Sequence, residues 1–235
     1  MAEYSIIIPA YNEEKRIRNT LINYLNFFKS TGRSFEILVV LNGCKDKTID
    51  VVKELQTRHG EINFVNFDEA IGKGGALLEG FKLVKGELIT YTDADGATLP
   101  ETLYELSEKI SDYDGIIGSR WINGAKILKK QSLARRIASR GFNILTRIIL
   151  GLNYKDTQCA AKVFKKNVIN RIKDKVEPTN FAIDAVLLYH MKKEGFKIKE
   201  EPITWEDKEF STLRIRKVIP NMLSAIIKTR MKKWK

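Results

Sequence analysis

The chain has 235 residues, 43% of them hydrophobic, which suits a single domain with a real core. Two cysteines and two histidines exclude a disulfide framework and a zinc cluster and point to a reducing compartment. No run approaches the 18 apolar residues of a membrane span, no signal peptide is visible, and a net charge of +12 asks for an anionic partner.

The elements alternate from the start. Tyr4 to Pro9 reads as a buried strand, and Glu13 to Lys29 has helical spacing with Asn12 placed to cap it. A second strand runs from Phe35 to Leu41 and turns at Asn42-Gly43. A helix over Thr48–Gln56 and a short strand over Ile62–Val65 follow. Gly74 to Lys85 is a helix, Leu88–Tyr91 a strand, Pro100 opens a helix, and Ile116–Gly118 is a further strand. This order predicts βαβ units, a mainly parallel sheet, and ligands outside the strands' carboxyl ends.

Three motifs fall at those ends: Pro9-Ala10-Tyr11-Asn12-Glu13, Asn42-Gly43 and Asp93-Ala94-Asp95. Carboxylates one residue apart can jointly hold Mg²⁺ or Mn²⁺, which prefer oxygen ligands, and Gly96 gives the backbone room to turn. Alone, Asp-x-Asp is a weak signal; its placement strengthens it.

After Ser119 the character changes. From Gly115 to Lys155 there are nine Lys or Arg and no acid, and after Glu209 eight more. Ser132 to Leu150 is a strong helix with one stripe of Ile137, Gly141, Ile144, Leu145 and Ile148. A second stripe holds Arg136, Arg140, Asn143 and Arg147. Helical spacing returns near 180–193, and Ile198 to Ile203 is a strand. An amphipathic helix from about Arg216 carries Ile215, Ile219, Met222, Leu223, Ile226 and Ile227 on one side, with lysines near Trp234. Apolar stripe, basic flank and tryptophan suit an interfacial helix on anionic lipid. That fits the C-terminal helix best; part of the 132–150 stripe has to pack on the sheet.

Six ordered blocks carry a resemblance across nearly the whole chain. They are Ile8–Glu13, Gly72-Lys73-Gly74-Gly75-Ala76, Thr92–Thr98, Gly118-Ser119-Arg120-Trp121, Ser139–Asn143 and Asp156–Phe164. With these blocks the chain resembles family 2 of the inverting glycosyltransferases, and within it the dolichyl-phosphate β-glucosyltransferases and dolichyl-phosphate mannose synthases. The resemblance implies a GT-A fold, a Rossmann-like α/β/α sandwich with C-terminal amphipathic helices. It implies one domain over 1–235. About 1–120 would hold nucleotide sugar and metal, and about 121–235 the acceptor and the membrane.

By the same resemblance Pro9, Ala10, Tyr11, Asn12 and Glu13 hold base and ribose, with Asn42 where the family usually has an acid. An amide still offers a donor and an acceptor to a base edge. Asp46 matches a later family aspartate or caps the next helix. Gly72 to Gly75 resembles a phosphate-cradling loop with Lys73 as its point charge, without the spacing of a P-loop. Asp93 and Asp95 are the implied Mg²⁺ or Mn²⁺ ligands. Asp95 would bind directly, and Asp93 would contact ribose or metal-bound water. With Ala94 they complete the nucleotide-sugar set, and with Arg120 the catalytic one.

Arg120, Arg135, Ser139, Arg140, Gln158 and Lys162 resemble the lipid-phosphate element, where arginine forks suit phosphate oxygens. Cys159 reads as a core residue and Arg147 as solvated. Where relatives show Asp-x-Glu, Asp184 stays but Val186 replaces the glutamate. A sugar hydroxyl needs a base; a phosphate monoester, with its second pKa near ~6, does not. Asp184 is then left to orient Lys or Arg side chains or to cap a helix.

The implied activity is metal-dependent, inverting transfer of a hexose from a nucleotide sugar to dolichyl or polyprenyl phosphate. The donor is UDP-glucose, with GDP-mannose as the alternative, and the place is the cytoplasmic face of a membrane. Two other readings stand beside it. Charge alone would suit nucleic acid, but that leaves Asp93 and Asp95 unexplained. Asn42 and Val186 would suit a silent nucleotide-binding subunit.

Overall fold

The computed structural model describes residues 2–129, 133–206 and 215–232, with side chains for all of these except 129, 133–138, 206 and 215–218. The first half runs β1 (Tyr4–Ala10), α1 (Ile17–Ser30), β2 (Phe35–Asn42), α2 (Thr48–Arg58), β3 (Ile62–Phe67), α3 (Gly72–Leu83), β4 (Leu88–Tyr91), α4 (Pro100–Glu108) and β5 (Gly115–Ser119). The second half runs β6 (Lys126–Lys129), α5 (Leu133–Leu150), β7 (Lys162–Lys165), α6 (Lys166–Ile172), α7 (Ile183–Lys193), β8 (Ile198–Pro202), β9 (Thr204–Glu206) and α8 (Ile215–Met231).

Seven strands form the central sheet in the order β3-β2-β1-β4-β7-β5-β8. All neighbours pair in parallel except β7, which runs antiparallel between β4 and β5. β6 and β9 form a separate two-stranded ribbon. The periodicity did not reveal β6, β7, α6 or β9. Each is short, and β7 reads Lys-Val-Phe-Lys, a pattern with charge at both ends.

Successive side chains of β1 point to opposite faces, as a strand requires. Ile6 and Ile8 join Leu21 and Leu25 of α1, Val52 of α2 and Leu103 of α4 on one side. Ile7 joins Leu77 and Phe81 of α3, Ile169 of α6 and Leu187 of α7 on the other. The result is a three-layered α/β/α sandwich. It brings the carboxyl ends of β1, β2 and β4 to one edge.

Two helices face differently from expectation. The α5 stripe of Gly141, Ile144, Leu145 and Ile148 is the exposed one, with Ile144 54% and Ile148 73% accessible. Phe142, Asn143, Thr146 and Leu150 face inward. With its amide oriented to suit its neighbours, Asn143 donates there to the Lys155 carbonyl and accepts the Thr157 N–H. In α8, Ile219, Met222, Ala225 and Ile226 pack on the core, which takes most of the stripe expected to meet lipid. Ile227 and Met231 stay exposed. No helix among the described residues is long and apolar enough to cross a membrane.

Candidate active site

The loop after β1 and the loop after β2 are knitted together. Asn12 takes a left-handed φ of 54°, and its Oδ1 accepts the Lys45 N–H at 2.7 Å. It therefore does not cap α1, which begins at Ile17 with no side-chain cap. Thr48 Oγ1 accepts the Glu13 N–H at 2.7 Å. Asp46 accepts the Glu14 and Thr48 N–H groups, so it pins both loops and opens α2. Glu13 is gripped by Arg16 through two bonds of 2.7 and 2.6 Å. Burial, outweighing that grip, and then Asp95 and Asp93 push its carboxyl up.

Of the residues expected to hold base and ribose, Tyr11 and Asn12 are exposed, and Pro9 and Glu13 are half-buried. Ala10 and Ala94 are buried in the core, so their side chains form the floor beneath these loops. Asn42 is also buried, and its Oδ1 accepts the Ile71 N–H at 2.7 Å. That bond uses one of the two lone pairs of its amide oxygen and ties Asn42 to the approach to α3.

The glycines around Lys73 have a packing cause. Gly72 to Gly75 form the first turn of α3 rather than a free loop. A Cβ on Gly74 would stand 1.8 Å from the Thr179 carbonyl oxygen. The close approach pins α3 to the 178–180 segment, where Asn180 Oδ1 also accepts the Lys73 N–H at 3.1 Å.

Lys73 reaches between two carboxylates. Its Nζ lies 2.8 Å from Asp93 Oδ1 and 3.5 Å from Asp184 Oδ2. Burial would strip its proton, but Asp184 and Asp93 more than offset this and hold the ammonium above its ordinary range. Asp93 is 44% exposed and Asp184 3%. Asp95 accepts the Ala97 N–H at 2.9 Å, and its carboxyl is pushed up by burial and by Asp93. The donors of the Asp93–Asp95 pair are the hard oxygens that Mg²⁺ and Mn²⁺ take. Among the described residues no group of three or more His, Cys, Asp or Glu is placed to hold a metal.

Behind Lys73 lies a buried network. Asp184 accepts from Tyr91 Oη at 2.8 Å and from Lys162 Nζ at 2.7 Å. Lys162 also bonds the Cys159 carbonyl and is fully buried. Lys162, expected on the acceptor side, stands here as the buried counter-ion of Asp184. Burial would raise the Asp184 carboxyl, but Lys162 and Lys73 hold it below the usual range. Cys159 is a core residue as expected, its thiol pushed up to about 11 by burial.

Arg120 stands beyond this network. Its Nε and Nη2 donate to Asp156 at 2.7 and 3.0 Å, and its backbone N–H to the same carboxylate at 3.1 Å. Burial would raise Asp156; Arg120 and then Lys162 hold it low. The guanidinium lies 5.3 Å from the Trp205 ring centre and 5.7 Å from that of Trp121, and Arg140 covers Trp121 at 4.4 Å. Gln158 carries a buried amide nitrogen with no hydrogen-bond partner among the described residues. Ser139 is half-buried beside Arg140, Arg147 is half-buried rather than solvated, and the Arg135 side chain lies outside the described residues.

A family model, "Glycosyl transferase family 2", matches residues 5–173. The chain belongs to glycosyl transferase family 2. It is 31% identical over 97% of its length to "Glycosyltransferase AglD" of Haloferax volcanii, of which it spans 37%. It is 33% identical over 92% of its length to "Dolichyl-phosphate beta-glucosyltransferase ALG5D" of Trichomonas vaginalis, spanning 69% of that protein. The Homo sapiens dolichyl-phosphate beta-glucosyltransferase is 28% identical over 90% of the chain, again with 69% of the relative spanned. Among solved structures, mannosyl-3-phosphoglycerate synthase from Rubrobacter xylanophilus matches with a TM-score of 0.70 at 13% identity, over all of this chain and 77% of that one. Glucosyl-3-phosphoglycerate synthase from Mycobacterium tuberculosis, with Mn²⁺ and UDP-glucose, matches at 0.68 and 14%, over 97% and 79%. These confirm the GT-A fold.

In this family 2 glycosyltransferase, sequence reasoning missed Asp156, Tyr91, Trp205 and the partnership of Lys162 with Asp184. Asp156 lay inside one of the six blocks, and the first acid after a stretch of nine cations was the available signal. Trp205 had none, since only β9 brings it to Arg120.

Proposed function

We propose that this chain transfers glucose from UDP-glucose to dolichyl phosphate or a similar polyprenyl phosphate with inversion, giving a β-linked lipid-phosphate sugar. One observation carries the reading. Asp93, Lys73, Asp184 and Lys162 form one run of alternating ion pairs, and Lys162 acts through space on Asp156, the ion-pair partner of Arg120. Together they link a carboxylate pair fit for a nucleotide diphosphate's cation to a guanidinium fit for a phosphate. The sugar and the lipid follow the relatives that are named dolichyl-phosphate beta-glucosyltransferases.

Asp93 and Asp95 would hold Mg²⁺ or Mn²⁺, with the remaining ligands from diphosphate and water. Such an ion neutralises charge on the departing nucleoside diphosphate. Lys73 adds a fixed positive charge beside it. Residues of the 9–13 loop receive base and ribose. Arg120 is locked in place by Asp156 and two indole rings, and its Nη1 takes no part in that pair, so it can meet an acceptor oxygen. Arg140 and Gln158 complete the acceptor side, with Arg135 and Ser139 on the same helix.

Asp184 is no base for this reaction. It is buried, held low by two ammoniums, and already accepts from Tyr91. An acceptor that needs no deprotonation, a phosphate, suits that site. On this reading residues 1–120 serve donor and metal, and 121–235 serve the acceptor. The exposed Ile144, Leu145 and Ile148, flanked by Arg140, rest on an anionic membrane surface at its cytoplasmic face, where Cys44 and Cys159 stay as thiols.

The test is incubation of the purified protein with dolichyl phosphate, Mn²⁺ or Mg²⁺, and UDP-glucose or GDP-mannose in separate tubes. Metal-dependent glucolipid, lost in Asp95→Ala, is expected. Mannolipid from GDP-mannose, or binding of UDP without any glycolipid, would overturn it.

A further inference from the structure

We propose that Lys73 is a latch on the cation site. In the ligand-free protein its ammonium occupies Asp93, and it releases that carboxylate only when a nucleotide diphosphate offers it a new anion. The inference rests on Asp93 and Asp95 being the cation's ligands, as argued above.

The asymmetry of the two carboxylates around Lys73 carries the argument. Asp184 is already served by Lys162 at 2.7 Å and by the Tyr91 hydroxyl at 2.8 Å. Asp93 has Lys73 as its one described ion-pair partner. The ammonium accordingly sits 2.8 Å from Asp93 and 3.5 Å from Asp184. A divalent cation arriving at Asp93 competes with Lys73 for the same oxygens and repels it. Lys73 cannot leave. It is 14% exposed, it starts in the first turn of α3, and Asp184 holds it from behind. An ammonium has three donors, so one can turn to Asp184 while the others turn to a diphosphate. Cation and diphosphate therefore need each other. The diphosphate relieves the repulsion that the cation creates, and by linkage each tightens the other by the same factor. Asp184 acts as a positioning residue in this device, never touching the donor.

The consequence has an unusual sign: removing Lys73 improves binding of the bare cation. Free Mn²⁺ would be followed by electron paramagnetic resonance, titrated against the wild-type chain and against Lys73→Met, each with and without saturating UDP, with UDP alone as blank. Without UDP, Lys73→Met is expected to bind Mn²⁺ about five-fold more tightly, the worth of a partly exposed ion pair. The factor by which UDP tightens Mn²⁺ is expected to shrink in the variant. Lys73→Gln, with a neutral donor of similar reach, moves the same way and serves if the methionine variant folds poorly by circular dichroism. Mn²⁺ binding to either folded variant that is no tighter than wild type, while the wild type does bind Mn²⁺ with UDP, would sink the latch alone. A wild type that takes up no Mn²⁺ even with UDP would sink the cation site and the latch with it.

Discussion

Gly74 and Arg120 show how single residues set this site. At Gly74 a methyl group would overlap the Thr179 carbonyl, a backbone atom that cannot swing aside. Gly74→Ala is expected to cost roughly 1–3 kcal/mol in urea denaturation, as overpacking does, and to shift Lys73 with α3. Arg120 meets Asp156 with two parallel bonds, and lysine cannot reproduce that fork. Arg120→Lys leaves Asp156, 0% exposed, with a single-point partner. We expect a loss on the order of 2 kcal/mol in the same denaturation, and transfer lower by at least about ten-fold in the glycolipid assay. Asp95→Asn removes one of two hard oxygen ligands but keeps an acceptor for the Ala97 N–H. Its expected signature is lost transfer at a denaturation midpoint no lower than that of the wild type, since burial and Asp93 already disfavour the Asp95 charge. Asp93 and Asp95 were legible in the sequence because a strand end announces them. The tie between Lys162 and Asp184 was not, since 22 residues separate a pair that only β7 and α7 bring together.

Among the elements, α5 decides how the molecule meets its surroundings. Its periodicity showed two stripes but not which one faces the core. The structure turns inward the side with Phe142, Asn143 and Thr146, because polar partners at Lys155 and Thr157 await Asn143 there. The purely aliphatic stripe is left outside. Ile144→Asp with Ile148→Asp is expected to leave folding intact, since both side chains are exposed. It should weaken co-sedimentation with vesicles of anionic phospholipid by at least about ten-fold, given ~1.5–3 kcal/mol per fully buried isoleucine. Equal sedimentation of variant and wild type would remove α5 from the membrane face. α8 teaches the reverse lesson. Its stripe looked equally amphipathic, yet most of it covers the core around α7. Amphipathicity says that a face is buried, not in what. At α1 the sequence placed the helix but not its start. Asn12 binds the neighbouring loop, a contact 33 residues away.

For the whole molecule, stability against acid is a readable property. His190 is buried on α7, and burial, then Lys175, lowers its imidazole to about 4. The unfolded chain protonates it near its ordinary ~6.5. Between those values the unfolded state binds the extra proton, so stability is full above about 6.5 and is lost as pH falls toward 4. The urea midpoint of the wild type should therefore rise from pH 4.5 to pH 7. His190→Gln should flatten that rise, and an unchanged slope would discard the assignment. Composition and strand–helix alternation were enough to determine an α/β fold, six ordered blocks its family resemblance, and the strand-end motifs the sheet edge where they gather. Those signals are local, because hydrophobic period and turn residues act within about ten positions. Tertiary structure alone decided that β7 inserts antiparallel and delivers Lys162 to Asp184, that Asp156 locks Arg120, and which faces of α5 and α8 meet the core. Charges and faces find partners through space, and a buried ammonium reads in sequence like any surface lysine.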